Sequence, residues 1–196
     1  MITNNQQSVR QSFGPNAEKY AQSAAFAKSE SLDRLVSVVK PQPHWRALDI
    51  ATGGWHTART LAPLVHRVIA SDITSQMLIA ARKMIDSHTI HNVDYNECDA
   101  QVMPYPRASF DLLTCRIAPH HFPDVKAFMG ECARVVKPNG IVAIIDGIAP
   151  GKNFTARYLN AYEKLRDPSH VWQFNTQQWR SFFEAVNLNV ILHETY

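Results

Sequence analysis

The sequence predicts an α/β fold, a parallel sheet covered by helices on both faces. Three observations carry this reading. Strand-like and helix-like patterns alternate along the chain. The strand-like runs are short and continuously apolar, as in parallel strands buried on both sides. The first of them passes through a glycine turn directly into a helix, the junction from which βαβ units are built.

The elements follow in order. The polar stretch before residue 30 reads as an arm or lid helix, and residues 31–196 as one domain. Ser31–Lys40 carries Leu32, Leu35, Val36 and Val39 at helical spacing and stops at Pro41. Ala47–Ala51 and Arg67–Ser71 are the first two strand candidates, and Val93–Cys98 is a less apolar third. Between them Ser75–Ser87 places Met77, Leu78, Ala81, Met84 and Ile85 on one helix face, with Ser75 as N-cap. Phe110–Cys115 and Ile141–Ile145 are rich in apolar residues and bounded by turn residues. The helix Asp124–Val136 separates them and ends before a Pro-Asn-Gly turn at 138–140. Phe154–Leu165 and Thr176–Ala185 are the last helices, and Val190–His193 is a sixth strand candidate. Trp179, Phe182 and Phe183 have helical spacing and should pack on the sheet.

Composition narrows the class. At 196 residues the chain can bury one sizeable core. The net charge is +3 and its basic residues are scattered, which argues against a nucleic-acid groove. Cys98, Cys115 and Cys132 are odd in number and lack CxxC spacing, so they read as reduced core thiols of a cytoplasmic protein. His88 and His91 have no further ligands nearby and read as surface residues, with no metal site. No run of about 18 apolar residues exists to span a bilayer, and the first residues lack the apolar core of a signal peptide.

The chemistry concentrates at the ends of the strand candidates. Asp49 closes the first strand, Gly53 and Gly54 form the turn, and His56 begins the helix. Asp72 closes the second strand, where a carboxylate can accept hydrogen bonds from ribose hydroxyls; the plainer alternative is a helix-capping turn residue. Asp99 follows the third strand and could take an adenine amine, or simply close a turn. His120 and His121 follow the fourth, where one could remove a proton from an acceptor while the other caps the loop. Arg116 could pair with an anionic group or serve as a structural ion-pair partner.

On these residues the chain resembles the class I S-adenosylmethionine-dependent methyltransferases, in their small-molecule, quinone-biosynthesis-like branch. Asp49-Ile-Ala51-Thr-Gly53-Gly-Trp55 resembles the family's glycine motif, with only Gly53 of three alternating glycines kept. Phe110–Arg116, Pro119–Asp124 and Val136–Gly140 resemble its later motifs, Asn16–Tyr20 its closing N-terminal helix, and Glu163–His170 the segment before its last helix. The resemblance implies a three-layer Rossmann-like sheet. It implies S-adenosylmethionine held by Tyr20, Asp49, Ala51, Gly53, Asp72, Ile73, Met77, Asp99, Ala100 and Arg116. It also implies a small-molecule acceptor served by His120 and His121.

Two departures set up a rival reading. Trp55 stands where the family has a small residue, and an indole on the cofactor side would block the site. It would also strain the backbone if forced to positive φ. The family's seventh, antiparallel strand has no counterpart after residues 190–193, which would leave a sheet edge open for a second copy. The rival is a methyltransferase-like partner subunit without catalysis. A dinucleotide oxidoreductase is disfavoured because the turn lacks GxGxxG.

Overall fold

The computed structural model describes residues 4–23 and 30–195. Parts of the arm expected before residue 30, and the end of the domain at Tyr196, therefore lie outside the described residues. The described chain runs α1 (Asn4–Phe13), a short 3-10 turn, α2 (Ala17–Ala21), α3 (Glu30–Val39), β1 (Arg46–Ile50), α4 (His56–Leu61) and β2 (Arg67–Asp72). It continues with α5 (Ser75–Ser87), β3 (Val93–Glu97), β4 (Phe110–Arg116), α6 (Val125–Val135), β5 (Val136–Ile145), α7 (Asn153–Arg166) and α8 (Thr176–Ala185).

The five strands form one sheet in the order β3-β2-β1-β4-β5, and every pairing is parallel. β1 is central, with Leu48 opposite Ile69 on one side and Leu113 on the other. Successive strand residues point to opposite faces, so β1 and β4 feed two separate cores. Ala47 and Leu112 pack with Leu35, Leu61, Met77 and Ile85 from α3, α4 and α5. Leu48, Ile50 and Leu113 pack with Phe128, Met129 and Cys132 of α6 and Trp179 of α8. The result is the expected three-layer arrangement, and the aromatic stripe of α8 lies against the second face as its spacing required, with Phe182 and Phe183 partly buried there.

Three details differ from the sequence reading. Thr74, not Ser75, occupies the N-cap of α5, because the Asp72 carboxylate already takes the Thr74 N–H at 2.9 Å and fixes the turn one residue earlier. The Pro-Asn-Gly segment is an irregularity within β5: Val136 pairs with Phe110 and the ladder resumes at Ile141 opposite Leu112, with Asn139 at φ 65°. Val190–His193 is not a strand. That segment joins no ladder, and Glu194 is tied instead to Arg34 on α3, which leaves Ile191 and Leu192 exposed. All three cysteines are free thiols, Cys115 and Cys132 buried in the core. No helix among the described residues is long and apolar enough to cross a membrane.

Candidate functional site

A parallel sheet collects the carboxyl ends of its strands along one edge, and the side chains just past those ends face a common crevice. Here the crevice is a cleft of about 270 Å³ that is partly open to solvent. Its floor is made by the turns after β1, β2, β3 and β4, and its roof by Asn5, Gln6, Val9 and Phe13 of α1 and Tyr20 of α2. All twelve residues singled out in the sequence line it: Tyr20, Asp49, Ala51, Gly53, Asp72, Ile73, Met77, Asp99, Ala100, Arg116, His120 and His121.

Two carboxylates, Asp72 after β2 and Asp99 after β3, line the cavity on the β2–β3 side. Asp72 is gripped by the backbone, Oδ2 accepting the Gly53 N–H and Oδ1 the Thr74 N–H, both at 2.9 Å. Burial pushes its pKa up while those two amides pull it back. Asp99 accepts the Gln101 N–H at 2.9 Å through Oδ1 and the Gln6 side-chain amide at 2.5 Å through Oδ2. An arm amide therefore already occupies the carboxylate that an exocyclic amine would take. Ile73, Met77 and Ala100 add apolar side chains to the same lining.

Asp49 sits deeper and is 1% exposed. The Thr52 and Thr114 hydroxyls donate to its two oxygens at 2.6 and 2.8 Å, and burial raises its pKa to about 6. Arg116 crosses the floor to the Thr57 and Ser31 hydroxyls at 3.4 and 3.3 Å. Its described hydrogen-bond partners are thus hydroxyls.

Strain marks the rim. Ala51, Trp55 and Ile117 have φ of 52°, 82° and 54°, values disfavoured for side chains with a Cβ and costing of order 1–3 kcal/mol each. The strain at Trp55 was foreseen, but the direction of its ring was not. The indole is 2% exposed, packs in the core with Ala17 and Ala21, and donates its Nε1–H to the Ala21 carbonyl at 2.9 Å. It does not line the cavity, so the expectation that Trp55 blocks the site is overturned. Positive φ turns the ring away from the strand ends and under the arm. Gly54 completes the seat, because a Cβ there would lie 2.7 Å from the Tyr20 carbonyl oxygen.

The opposite wall carries the histidines. His120 Nδ1 lies 2.6 Å from Asp146 Oδ1, and the other Asp146 oxygen accepts the His120 backbone N–H at 2.9 Å. With Nδ1–H donated to this carboxylate, Nε2 keeps its lone pair. The ring of His121 lies tilted by 46° against that of His120, with centroids 4.1 Å apart, and meets Phe13 edge-on at 5.1 Å. Ser169 Oγ donates to Asp167 at 2.6 Å, so at 3.1 Å it accepts a hydrogen bond from His121 Nδ1–H. Sequence reasoning missed Asp146, although an acid directly after the apolar run Ile141–Ile145 repeats the placement of Asp72. From the segment 163–170, Arg166 and Asp167 line the cavity. Among the described residues no cluster of side chains suits a metal ion, and His88 is exposed beside the Trp55 ring.

Burial, with His120 as neighbour, lowers the His121 pKa to about 4. An unfolded histidine titrates near 6.5. The stability held by neutral, buried His121 is therefore complete above pH 6.5 and is lost as pH falls toward 4, a total of about 3 kcal/mol. Asp49, raised to about 6, acts with the opposite sign: between about 4 and 6 the folded state keeps a proton that the unfolded chain has released. His121→Gln should accordingly lose about 2 kcal/mol less stability than the wild type between pH 7 and pH 5. Urea melts at the two pH values measure this, and equal losses in both proteins would rule it out.

Comparison with known proteins gives the following. Residues 48–144 match the family described as methyltransferase domain. The Bacillus subtilis protein YcgJ, named an uncharacterized methyltransferase, is 35% identical over 176 residues, covering 90% of this chain and 70% of that one. Its crystal structure matches with a TM-score of 0.78 over 80% of this chain and 67% of the other. The ubiquinone/menaquinone biosynthesis C-methyltransferase UbiE of Teredinibacter turnerae is 30% identical over 125 residues, covering 62% of this chain and 50% of its own length. At 20% identity, a likeness of fold alone, a Haemonchus contortus phosphoethanolamine N-methyltransferase in complex with S-adenosyl-L-methionine matches with a TM-score of 0.75 over 94% of this chain and 44% of that one.

Proposed function

The chain belongs to the methyltransferase domain family, and from that premise we propose that it moves a methyl group from S-adenosylmethionine to a small-molecule acceptor. One observation carries the reading: a single cavity is lined by acids with apolar side chains beside them and by a carboxylate-oriented histidine. This lining fits a nucleoside, and the Haemonchus neighbour of the same fold is named with S-adenosyl-L-methionine. Asp72 would accept the ribose hydroxyls, Asp99 the adenine amine in place of Gln6, and Ile73, Met77 and Ala100 would flank the base. Gly53 leaves room over the turn, since a Cβ there would meet nothing closer than the Ala51 carbonyl oxygen at 3.9 Å. Ala51, Asp49, Arg116 and Tyr20 would bound the amino-acid end. When bound, the sulfonium supplies an activated methyl group, which leaves the protein the task of alignment.

His120 is the residue placed to take a proton from the acceptor. Its Nε2 is the basic nitrogen, and Asp146 both orients the ring and stabilises the imidazolium that forms. His121, neutral at pH 7, positions the acceptor beside Phe13 rather than competing for the proton. An acceptor with an acidic carbon or hydroxyl fits this wall. That agrees with the kind of reaction named for UbiE, of which this chain matches half the length.

Calorimetric titration with S-adenosylmethionine tests the reading. The wild type is expected to bind in the micromolar range. Asp72→Asn, which keeps one of the two oxygens, should bind about 10- to 100-fold more weakly, the effect of losing charge-assisted hydrogen bonds. Absence of wild-type binding at millimolar ligand would overturn the proposal.

A further inference from the structure

α7 is built inside out. Its inward side presents Ala156 and Asn160, both buried. Asn160 anchors the helix by polar contacts: its Oδ1 accepts the His170 Nε2–H at 2.8 Å and the Gln173 N–H at 2.6 Å, and its Nδ2 donates to the Gln173 carbonyl at 3.2 Å. The outward side carries the apolar residues. Phe154, Tyr158, Tyr162 and Leu165 follow one another at spacings of four, four and three, which puts them in one stripe, and they are 83%, 69%, 56% and 86% exposed. A helix on a globular surface ordinarily turns such a stripe inward; here the chain turns it to the outside and holds the helix through an amide instead.

The charges around the stripe identify what would cover it. Residues 152–166 carry four basic side chains, Lys152, Arg157, Lys164 and Arg166, and one acidic side chain, Glu163. Glu163 is half-buried and is taken by Arg166 at 2.6 Å. Arg157 and Lys152 are exposed and have no acidic partner among the described residues. Helical geometry places Arg157 and Lys164 along one flank of the stripe, the Lys164 ammonium also donating to the Pro168 and His170 carbonyls at 2.7 and 2.6 Å. A second copy is a poor occupant, because a twofold axis through the middle of the stripe would bring Arg157 of one chain toward Lys164 of the other. Aromatic residues flanked by basic ones on a single helix face match a surface that is apolar just below a layer of negative charge.

We propose that this outward face of α7 adsorbs on an anionic lipid bilayer, lying in the headgroup region without crossing it. The C-terminal end of the helix runs into the cavity through Arg166 and Asp167, so adsorption sets the cavity mouth at the lipid surface. That consequence rests on the transferase reading; the adsorption itself does not.

Vesicle co-sedimentation of the full chain, with no cofactor added, separates the two. The protein is expected to bind phosphatidylcholine vesicles containing phosphatidylglycerol, to leave vesicles of phosphatidylcholine alone in suspension, and to be released by salt. Phe154→Ser with Leu165→Ser should weaken binding at least about tenfold. Arg157→Glu should do so by about 30-fold, from a change of two charge units. All three positions are exposed, so thermal melting should match the wild type. The proposal is overturned by failure to bind the anionic vesicles, by binding that these substitutions leave intact, or by a concentration-dependent dimer in sedimentation that the same substitutions abolish.

Discussion

Asp146→Asn is expected to lower methyl-transfer turnover by about 10²- to 10⁴-fold while changing the affinity for S-adenosylmethionine by less than about twofold. The carboxylate lies on the histidine wall and is not among the residues proposed to hold the nucleoside. Its bond to His120 Nδ1 at 2.6 Å sets which nitrogen faces the acceptor. An asparagine can keep the backbone bond from His120 by offering its carbonyl oxygen, but then its NH₂ meets Nδ1. The imidazole would respond with the other tautomer, placing a proton on Nε2 where a lone pair is needed. It would also lose the negative charge that stabilises the imidazolium. His120→Ala should cost a similar factor, and the double variant little more than either single one, since the two residues act as a unit. The measurement is S-adenosylhomocysteine release with an acceptor that supports turnover, beside calorimetry for the cofactor. A turnover within about threefold of wild type in Asp146→Asn would remove the dyad from the chemistry.

The wall proposed for the cofactor was legible in the sequence because its acids stand at or after the ends of strand candidates. Asp49 and Asp72 end apolar runs, Asp99 follows the third, and a parallel sheet brings such ends together whatever the loops do. Asp146 obeys the same rule, standing directly after the apolar run Ile141–Ile145. The roof was harder to read. Asn5, Gln6 and Val9 lie on a polar helix whose pattern names no partner, and their place over the cavity is set by long-range bonds such as Gln6 to Asp99, across 93 residues of chain. Ser169 and Asp167 reach His121 for a comparable reason: a proline-interrupted turn fixes them, and no periodicity encodes it.

The fold followed from periodicity where two faces had to be buried, as at Leu112 and Leu113, whose side chains feed opposite cores. Periodicity failed at Val190–His193. That run has strand composition, but strand formation needs a neighbour with free backbone groups in register, and the segment lies instead near α3. α7 shows the converse failure. Its apolar spacing called for a helix, which is there, but spacing alone could not tell that the stripe faces out.

Trp55→Gly is expected to destabilise the fold by about 2–4 kcal/mol and to leave the affinity for S-adenosylmethionine unchanged or lower. The first effect is a balance of two terms. Removing a buried indole costs about 3–5 kcal/mol, here including its bond to the Ala21 carbonyl and the contact of the Arg59 guanidinium at 5.1 Å. Glycine at φ 82° returns roughly 1 kcal/mol of backbone strain. For a domain of this size the net loss is a fall of about 5–15 °C in Tm. The second effect separates the two places the ring could occupy. An indole projecting into the cofactor slot would be an obstacle, and its removal would tighten binding. An indole seated beneath α2 is a support, and its removal loosens the arm that contributes Tyr20 and Phe13 to the cavity roof. Trp55→Phe refines the test, since it keeps an aromatic ring in the seat while removing the pyrrole half of the indole with its N–H; about 1–3 kcal/mol should be lost. Calorimetry and thermal melting on the three proteins decide the matter. Tighter cofactor binding in Trp55→Gly would restore the blocked-site reading that the buried position of the ring now opposes.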